Sequence, residues 1–240
     1  MRNSFYIKQT PSTNQLAWEM NREHVLPEGY FIYTDFQLAG KGQPGNAWES
    51  YEGKNILFSI VLRPLQLPME ELFLLSQLVS VAIKKSLDVY ISNITVKWPN
   101  DIYWNDKKLA GILIENSLQG DKIKMAVIGV GLNVNQVVFE SNAPNPVSLM
   151  QITGKRQNRK NLLQLITQNI IKLYNEMDIV KIRSDYSGSL YRKEGFHLFK
   201  DDNNSFKAKI FDIHPDGQLE LETETGERKA YYFKEVQFIL

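Results

Sequence analysis

The segment 97–115, KWPNDIYWNDKKLAGILIE, constrains the fold more than any other part of the sequence. Its two halves have the composition of extended segments, and a turn at residues 105–106 joins them, because short Asn and Asp side chains bond their own backbone. In the second strand, Ile112 and Ile114 would face one side of a sheet while Leu113 faces the other. The segment therefore predicts a largely apolar β-hairpin.

Lys108 stands just past the predicted turn, where the apolar strand begins. A lysine that enters a buried sheet needs an anion, because an unpaired ammonium group is costly there. One interpretation is that a ligand supplies the anion, as a carboxylate and, during a reaction, also a phosphate. The alternative is a solvated lysine beside its neighbour Lys107.

Composition and charge exclude several classes of protein. The 240 residues can bury a large core, and the formal net charge of +1 argues against a nucleic-acid binder that uses a broad basic face. The absence of cysteine excludes disulfides, thiol nucleophiles and cysteine-bound zinc, and the three histidines have no metal-ligand spacing. Neither a signal peptide nor an apolar run near the roughly 18 residues of a membrane span is found. We therefore expect a soluble cytoplasmic protein that binds no membrane.

A short helical pattern follows the polar run at residues 12–15, STNQ. Ser12 and Gln15 fit a capping box at the start of this helix. The same hydroxyl and amide groups, including those of Thr13 and Asn14, could instead hydrogen-bond a polar ligand. The two roles are compatible, and the sequence leaves both open.

The segment 37–48, QLAGKGQPGNAW, connects two predicted strands and matches the pattern G-x-G-x-x-G. It lacks the helix that a dinucleotide fingerprint requires, and Asn46 stands where a P-loop has lysine. A mobile glycine-rich loop with one cation, Lys41, remains, and such a loop lets backbone N–H groups approach phosphate oxygens. The alternative is an ordinary long hairpin connection.

The other elements follow from hydrophobic periodicity. Strands are predicted at 30–36, 55–63, 93–97 and 123–128, with a turn at Asp121 and a glycine turn at 129–135. Helices are predicted at 69–87, at 158–177 and from there to about residue 193. Beyond Gly195, short strands are predicted at 206–213, 218–224, 228–233 and 236–240, which suggests a small β-barrel.

Taken together, these motifs resemble biotin protein ligases, the biotin–[acetyl-CoA-carboxylase] ligases. The resemblance is carried by the blocks KWPND (97–101) and KLAGI (108–112), by Ser12 to Asn14, by the glycine loop with Trp48, and by the GVGLN segment at 129–133. It covers nearly the whole chain. It implies the ligase-only type, without a DNA-binding domain.

The resemblance implies an α/β (α+β) fold with a mixed sheet of the class II synthetase type, flanked by helices, and a C-terminal SH3-like β-barrel. The catalytic domain would span residues 1–189 and the barrel residues 190–240. The implied reaction has two steps: the biotin carboxylate attacks the α-phosphorus of ATP, and an acceptor lysine then attacks biotinyl-5′-AMP. No protein nucleophile is needed, which agrees with the absence of cysteine.

The resemblance also assigns roles to individual residues. Catalysis falls to Lys108 and Lys41, with Asp101 as a candidate for orienting Lys108 or the acceptor lysine. Biotin would be bound by Ser12, Thr13, Asn14, Gln37, Lys41, Gly42, Gln43, Lys108, Gly111 and Gly129. The nucleotide would be bound by Lys41, Trp48, Asn100, Lys108, Gly131 and Asn133. Magnesium would lie on the phosphates, and no residue is assigned as a metal ligand.

The glycine loop departs from the arginine-rich form that is common in the family, since it carries Lys41, Gln43 and Asn46. Lysine keeps a point charge but lacks the guanidinium fork, so a looser hold on the adenylate is expected. The implied partner is a biotin carboxyl carrier protein or acceptor domain that docks beside a sheet edge, and such an edge would equally support a homodimer. Two alternatives remain: a lipoate ligase or octanoyltransferase, and a non-catalytic biotin-binding regulator.

Overall fold

The computed structural model describes residues 3–43, 45–120, 122–141 and 145–239. In these residues a mixed seven-stranded sheet has the order β1-β2-β3-β7-β6-β5-β4, in which only β1 and β2 are parallel neighbours. The strands are β1 (Ser4–Thr10), β2 (Tyr30–Gln37), β3 (Ile56–Leu62), β4 (Ile94–Lys97), β5 (Asp101–Trp104), β6 (Lys107–Gln119) and β7 (Lys122–Leu132).

Helices cover both faces of this sheet. They are α1 (Thr13–Glu23), α2 (Phe73–Leu87), α3 (Leu149–Thr153), α4 (Arg159–Glu176) and α5 (Ile179–Gly188), with a 3-10 turn at Met69–Glu71. Helix α2 packs on α4, α5 and the main apolar core, while α1 covers a smaller core on the opposite face. All seven residues of β3 are buried, because this central strand is covered on both sides.

A second, antiparallel sheet follows with the order β11-β10-β9-β8-β12. Its strands are β8 (His197–Asp201), β9 (Ser205–Ile213), β10 (Leu219–Thr223), β11 (Arg228–Tyr231) and β12 (Val236–Phe238). The predicted architecture is therefore confirmed, and this sheet is compatible with an SH3-like unit. In the described residues its end strands β11 and β12 do not pair, so the expected closed barrel is not observed.

Several element boundaries predicted from the sequence are wrong. Strand β7 does not end before the glycines but continues through Gly129 and Gly131 to Leu132. The helical region that was expected to reach residue 193 ends at Gly188, and β1, β8 and α3 were not predicted. The predicted turn at Asp121 lies outside the described residues.

The expected capping box at the start of α1 is also wrong. Ser12 occupies the N-cap position, but its side chain makes no capping hydrogen bond, and only its carbonyl accepts from Leu16 N at 3.0 Å. A capping box does occur at α3, where the Ser148 and Gln151 side chains bond each other's backbone N–H groups. The Ser12 hydroxyl is therefore not committed to its own helix.

Trp98 joins the two sheets. Its indole Nε1 donates to the Gly217 carbonyl at 2.9 Å, and its ring meets Phe233 edge-on with centroids 6.3 Å apart. Tyr191 similarly packs against Phe238, with ring centroids 6.1 Å apart. These contacts hold the segment before and within β12 against the end of β4.

Trp98→Phe should lower the free energy of unfolding by about 1–3 kcal/mol, because it removes a hydrogen bond and leaves the buried Gly217 carbonyl unpaired. Denaturant titration measures this change. The matched control is Trp104→Phe, which removes the same atoms from a half-buried ring. An equal loss in both variants would contradict the assigned role of the indole N–H.

Candidate active site

A cavity of about 550 Å³ lies between the seven-stranded sheet, the glycine loop and the segment 233–238 of the C-terminal sheet. The sequence-predicted site residues that line it are Ser12, Thr13, Asn14, Gln37, Lys41, Gly42, Gln43, Trp48, Asn100, Lys108, Gly111, Gly129 and Gly131, and Asp101 lines it as well. The structure therefore brings together segments that are far apart in sequence. Asn133 is the predicted residue that does not reach the lining.

The floor of the cavity is one row of side-chain positions across four strands. Lys97 pairs with Asp101, Asp101 with Gly111, and Gly111 with Gly131. Directly paired residues project to the same face of a sheet, so all four face the cavity. Gly111 and Gly131, side by side on adjacent strands, thus leave a hollow in the middle of the sheet. The carboxylate of Asp101 and the ammonium group of Lys97 lie at one end of the row.

A β-bulge places Lys108 on this face. The register between β5 and β6 shifts so that Tyr103, which follows Asp101 by two residues, pairs with Lys108 instead of Leu109. Without the extra residue, Lys108 would project to the core side of the sheet. The bulge instead buries Leu109 completely and directs the lysine into the cavity.

Lys108 already has a carboxylate partner in the chain. Its Nζ lies 2.8 Å from Asp101 Oδ2, and both side chains are only about a quarter exposed. The expectation that an anion must come from a ligand is therefore incomplete, because Asp101 supplies one. Asp101 was a candidate for orienting Lys108 or the acceptor lysine, and the structure places it in contact with Lys108.

Trp48 fills the hollow that the two floor glycines leave. A Cβ atom at Gly131 would lie 2.6 Å from the indole nitrogen, and one at Gly111 would lie 3.0 Å from Cζ3. Glycine is needed at both positions because a side chain would clash with Trp48. The backbone conformation does not require glycine, since neither residue has a positive φ. The indole N–H is buried without a hydrogen-bond partner among the described residues. The ring also lies 5.8 Å from Lys108 Nζ, so the aromatic face and the cation border the same space.

The glycine loop folds back on itself as a small hairpin. Lys41 and Ala47 form an antiparallel bridge, Gly42 N donates to Asn46 O at 2.9 Å, and Trp48 N donates to Gly40 O at 2.9 Å. The loop thus has the hairpin form that was the alternative to a mobile phosphate-binding loop, and it also borders the cavity. It leaves the Lys41 side chain exposed at the rim.

The opposite end of the cavity is polar and buried. Gln37 Oε1 accepts from Thr13 N at 2.8 Å and from Thr13 Oγ1 at 3.0 Å. Ser59 Oγ lies 2.7 Å from Thr13 Oγ1 and 2.5 Å from Asn14 Oδ1. Gly129 is required here, because a Cβ atom at this position would lie 2.5 Å from Asn14 Oδ1. The network holds amide and hydroxyl groups in fixed positions, and Ser59 was not predicted.

The two predicted asparagines are placed differently. Asn100 lines the cavity, but its Nδ2 donates to the Ile112 carbonyl, while Ile112 N donates to Asn100 O at 3.0 Å, so the residue also pins the hairpin. Asn133 is buried beneath the lining, and its Oδ1 has no hydrogen-bond partner among the described residues. Its backbone N–H donates to Leu109 O at 2.9 Å, beside Lys108.

Glu49, next to Trp48, ties the end of the glycine loop to the segment after β7. Its carboxylate accepts from the backbone N–H groups of Glu140 and Ser141 and from Gln136 Nε2, at 2.8 to 3.2 Å. Burial alone would raise the pKa of Glu49, but these hydrogen bonds hold the pKa below its usual value. No sequence motif indicated this contact.

Four lysines and a single aspartate are the charged residues that line the cavity in the described part of the chain. They are Lys41, Lys97, Lys108, Lys234 and Asp101, a formal excess of three positive charges. The protein as a whole is nearly neutral, so the positive charge is concentrated at this site. Such a cavity favours a polyanionic ligand. The sequence analysis missed Lys97 and the contribution of the C-terminal segment.

Comparisons with known proteins agree with this geometry. The model of the biotin/lipoate A/B protein ligase family matches residues 6–133. The bifunctional ligase/repressor BirA of Bacillus spizizenii is 32% identical over an alignment of 232 positions, which covers 92% of this chain and 69% of that protein. The biotin–[acetyl-CoA-carboxylase] ligase of Paracoccus denitrificans is 28% identical over an alignment of 183 positions, which covers 73% of this chain and 70% of that protein.

The chain belongs to the biotin/lipoate A/B protein ligase family. Its fold is similar to that of the biotin protein ligase from Aquifex aeolicus in complex with biotin and ATP, with a TM-score of 0.79, 25% identity and complete coverage of both chains. The resemblance inferred from the sequence motifs is thus confirmed.

The described residues contain neither a cluster of metal-binding side chains nor a helix that could span a membrane. No group of three or more His, Cys, Asp or Glu side chains is arranged to hold a metal ion. No helix in this part of the chain has the length and apolar character needed to cross a membrane.

Gly131→Ala should displace Trp48 from the floor, because the added methyl group would occupy the position of the indole ring. We expect the Trp48 fluorescence, obtained by subtracting the spectrum of a Trp48→Phe variant, to shift to the red as the ring enters water. The control is Gly188→Ala, where an added Cβ meets no heavy atom within 4 Å. An unshifted Trp48 emission in Gly131→Ala would contradict the assigned packing.

Proposed function

We propose that this protein is a biotin–[acetyl-CoA-carboxylase] ligase, which uses ATP to attach biotin to a lysine of an acceptor protein. The observation that carries the proposal is the Lys108–Asp101 pair in a cavity with an excess of positive charge, in a chain of this family. A carboxylate and a triphosphate repel each other, so an enzyme that joins them must place cations between them.

In the first step, a carboxylate oxygen of biotin attacks the α-phosphorus of ATP. The bond from this phosphorus to the bridging oxygen breaks, pyrophosphate leaves with the electron pair, and biotinyl-5′-AMP forms. Lys108 lies between the two reactants and stabilises the negative charge that develops on the phosphoryl oxygens. Lys41, on the exposed rim, adds a second positive charge as the glycine loop closes over the phosphate.

In the second step, the neutral amine of an acceptor lysine attacks the carbonyl carbon of the mixed anhydride, and AMP leaves. The bond between the carbonyl carbon and the phosphate oxygen breaks, and AMP takes its electron pair. The product is an amide, and the proton that the amine loses passes to solvent. Asp101 is the single carboxylate in the described lining, so it is the group suited to orient the incoming amine after it has oriented Lys108.

Biotin would bind at the polar end of the cavity. The hydroxyl groups of Ser12 and Thr13 and the amide groups of Asn14 and Gln37 are donors and acceptors for its ureido ring, with Gly42, Gln43, Gly111 and Gly129 lining the rest of the pocket. The Ser12 hydroxyl makes no capping bond, which leaves it available to a ligand.

The nucleotide would bind at the other end of the cavity. Trp48, which packs over Gly131, offers an aromatic surface, and Asn100 also lines the cavity. The side-chain Oδ1 of Asn133, just beneath this region, is an acceptor without a partner among the described residues.

Magnesium fits this site as an ion held by the phosphates. The described residues contain no carboxylate cluster, and Asp101 is already paired with Lys108. When bound, the ion would offset phosphate charge, while the protein contributes few direct ligands. The lysines position the phosphates whether or not the phosphates carry the metal.

The acceptor domain would dock along strand β6. Beyond Gly111, this strand has β7 on one side only, and in the described residues its other edge at 114–119 has no neighbouring strand. Such an edge pairs readily with a strand of another protein. It continues directly from Ile112 and Leu113, which line the cavity, so a docked acceptor could place its lysine at the site. A homodimer through the same edge and a cytoplasmic location stay predictions.

The two alternatives are less well supported. The family model includes lipoate ligases, but the Paracoccus denitrificans relative and the similar Aquifex aeolicus structure are biotin ligases. A non-catalytic regulator would have no use for the Lys108–Asp101 pair beyond binding.

The protein, incubated with ATP, Mg²⁺, biotin and a biotin carrier domain, should increase the intact mass of the carrier by one biotinyl group. Lys108→Ala should slow this reaction by about a hundred-fold or more, as expected for a lost preorganised donor. The control is Lys107→Ala, an exposed neighbour at the start of β6. Equal carrier masses with the wild type and with Lys108→Ala would count against the role of Lys108, and no mass increase with the wild type would refute the proposed activity.

A further inference from the structure

Lys97, the last residue of β4, lies at the end of the floor row. It stands two strands away from Gly111, which corresponds to about 10 Å at the usual strand spacing. On the far side of Gly111 lie Gly131 and the Trp48 indole. A ligand that extends along the floor from Trp48 past Lys108 would therefore reach Lys97 with its far end.

Lys97 is half-buried and has no carboxylate within 4.0 Å of Nζ among the described residues. Its Nζ donates to the Tyr103 hydroxyl at 3.2 Å and lies 5.0 Å and 5.4 Å from the ring centroids of Tyr103 and Phe238. Burial lowers the pKa of Lys97, and Asp101 only partly opposes this effect. The ammonium group is thus held in place by aromatic rings but lacks the anion that would compensate its desolvation.

Lys108 has its carboxylate partner, whereas Lys97 does not, although both line the same cavity. A bound polyanion would supply the missing partner. The reaction in "Proposed function" places the α-phosphate at Lys108, so the β- and γ-phosphates must extend away from it. The direction along the row toward Lys97 ends at a half-buried cation without a carboxylate partner, whereas Lys41 is exposed at the rim.

We infer that Lys97 binds the β- and γ-phosphates of the nucleotide and the pyrophosphate that leaves. This inference depends on the proposed function and adds a residue for the leaving group to it. When the bond between the α-phosphorus and the bridging oxygen breaks, the electron pair moves onto pyrophosphate, and the ammonium group of Lys97 stabilises that charge. The second step contains no pyrophosphate, so Lys97 has no part in the transfer of biotin from biotinyl-AMP.

The two half-reactions separate this role from a purely structural one. In Lys97→Gln, the KM for pyrophosphate in biotin-dependent ATP–pyrophosphate exchange should rise by about ten- to a hundred-fold, the loss expected for a hydrogen bond to a charged group. The transfer of biotin from preformed biotinyl-AMP to a carrier domain should keep its wild-type rate. Lys107→Gln, at an exposed position, should change neither reaction.

A second variant guards against misfolding, because Lys97 also contacts the C-terminal sheet through Phe238. Lys97→Arg keeps the positive charge and should retain pyrophosphate binding. Since burial lowers the pKa of Lys97, the wild-type KM for pyrophosphate should rise as alkaline pH removes the proton, while arginine stays charged. The other groups that act on Lys97 are Tyr103, Asp101, Lys108 and Arg192, and they are the same in both proteins.

The outcomes are distinguishable. No exchange in the wild type would overturn the proposed function together with the role of Lys97. With an active wild type, an unchanged KM for pyrophosphate in Lys97→Gln, or an equal fall of both half-reactions, would overturn the role of Lys97 alone. If Lys97→Gln does not fold, matching alkaline pH profiles of the wild type and Lys97→Arg would overturn it.

Discussion

The ion pair between Lys108 and Asp101, 2.8 Å long, is the interaction on which the site depends. Asp101 and Lys108 come from the neighbouring strands β5 and β6. Both side chains reach the same face of the sheet because a single bulge in β6 turns Lys108 away from the core. The sheet around them is rigid, since its other face is covered by α2 and a continuous apolar core. An ammonium group held in this way costs little reorganisation when charge develops beside it, which is the condition for electrostatic catalysis.

Three glycines, which have no side chain, shape the remainder of the site. Gly111 and Gly131 leave room for Trp48, and Gly129 leaves room for Asn14, so three glycines in regular strands make space for groups from other segments. Trp48 and its neighbour Glu49 in turn fix the glycine loop to the floor and to the segment after β7. The C-terminal sheet completes the wall through residues 233–238, held by the Trp98 contact with Gly217. The catalytic cavity therefore belongs to both sheets.

The sequence, through its resemblance to the family, predicted a mixed sheet flanked by helices, because the motifs that carry the resemblance are local and dense around residues 97–115. All but one of the predicted site residues line the cavity. The sequence also placed the hairpin correctly: Ile112 belongs to the main core, while its strand neighbour Leu113 faces the other side of the sheet. It could not predict the bulge, since nothing in KKLAG distinguishes Leu109 from Lys108 as the extra residue. It mistook the glycines of β7 for a turn, because the residues that occupy their space lie about 80 to 115 positions away. Lys97 was not predicted as a site residue for a similar reason, because the aromatic rings around it include Phe238 of the other sheet.

A crystal structure with biotinyl-5′-AMP bound would test the role of Lys108 most directly. Lys108 Nζ should lie within about 3 Å of both the carbonyl oxygen of the mixed anhydride and an oxygen of its phosphate. A structure in which Lys108 keeps Asp101 as its sole partner, with the anhydride bound elsewhere in the cavity, would contradict that role.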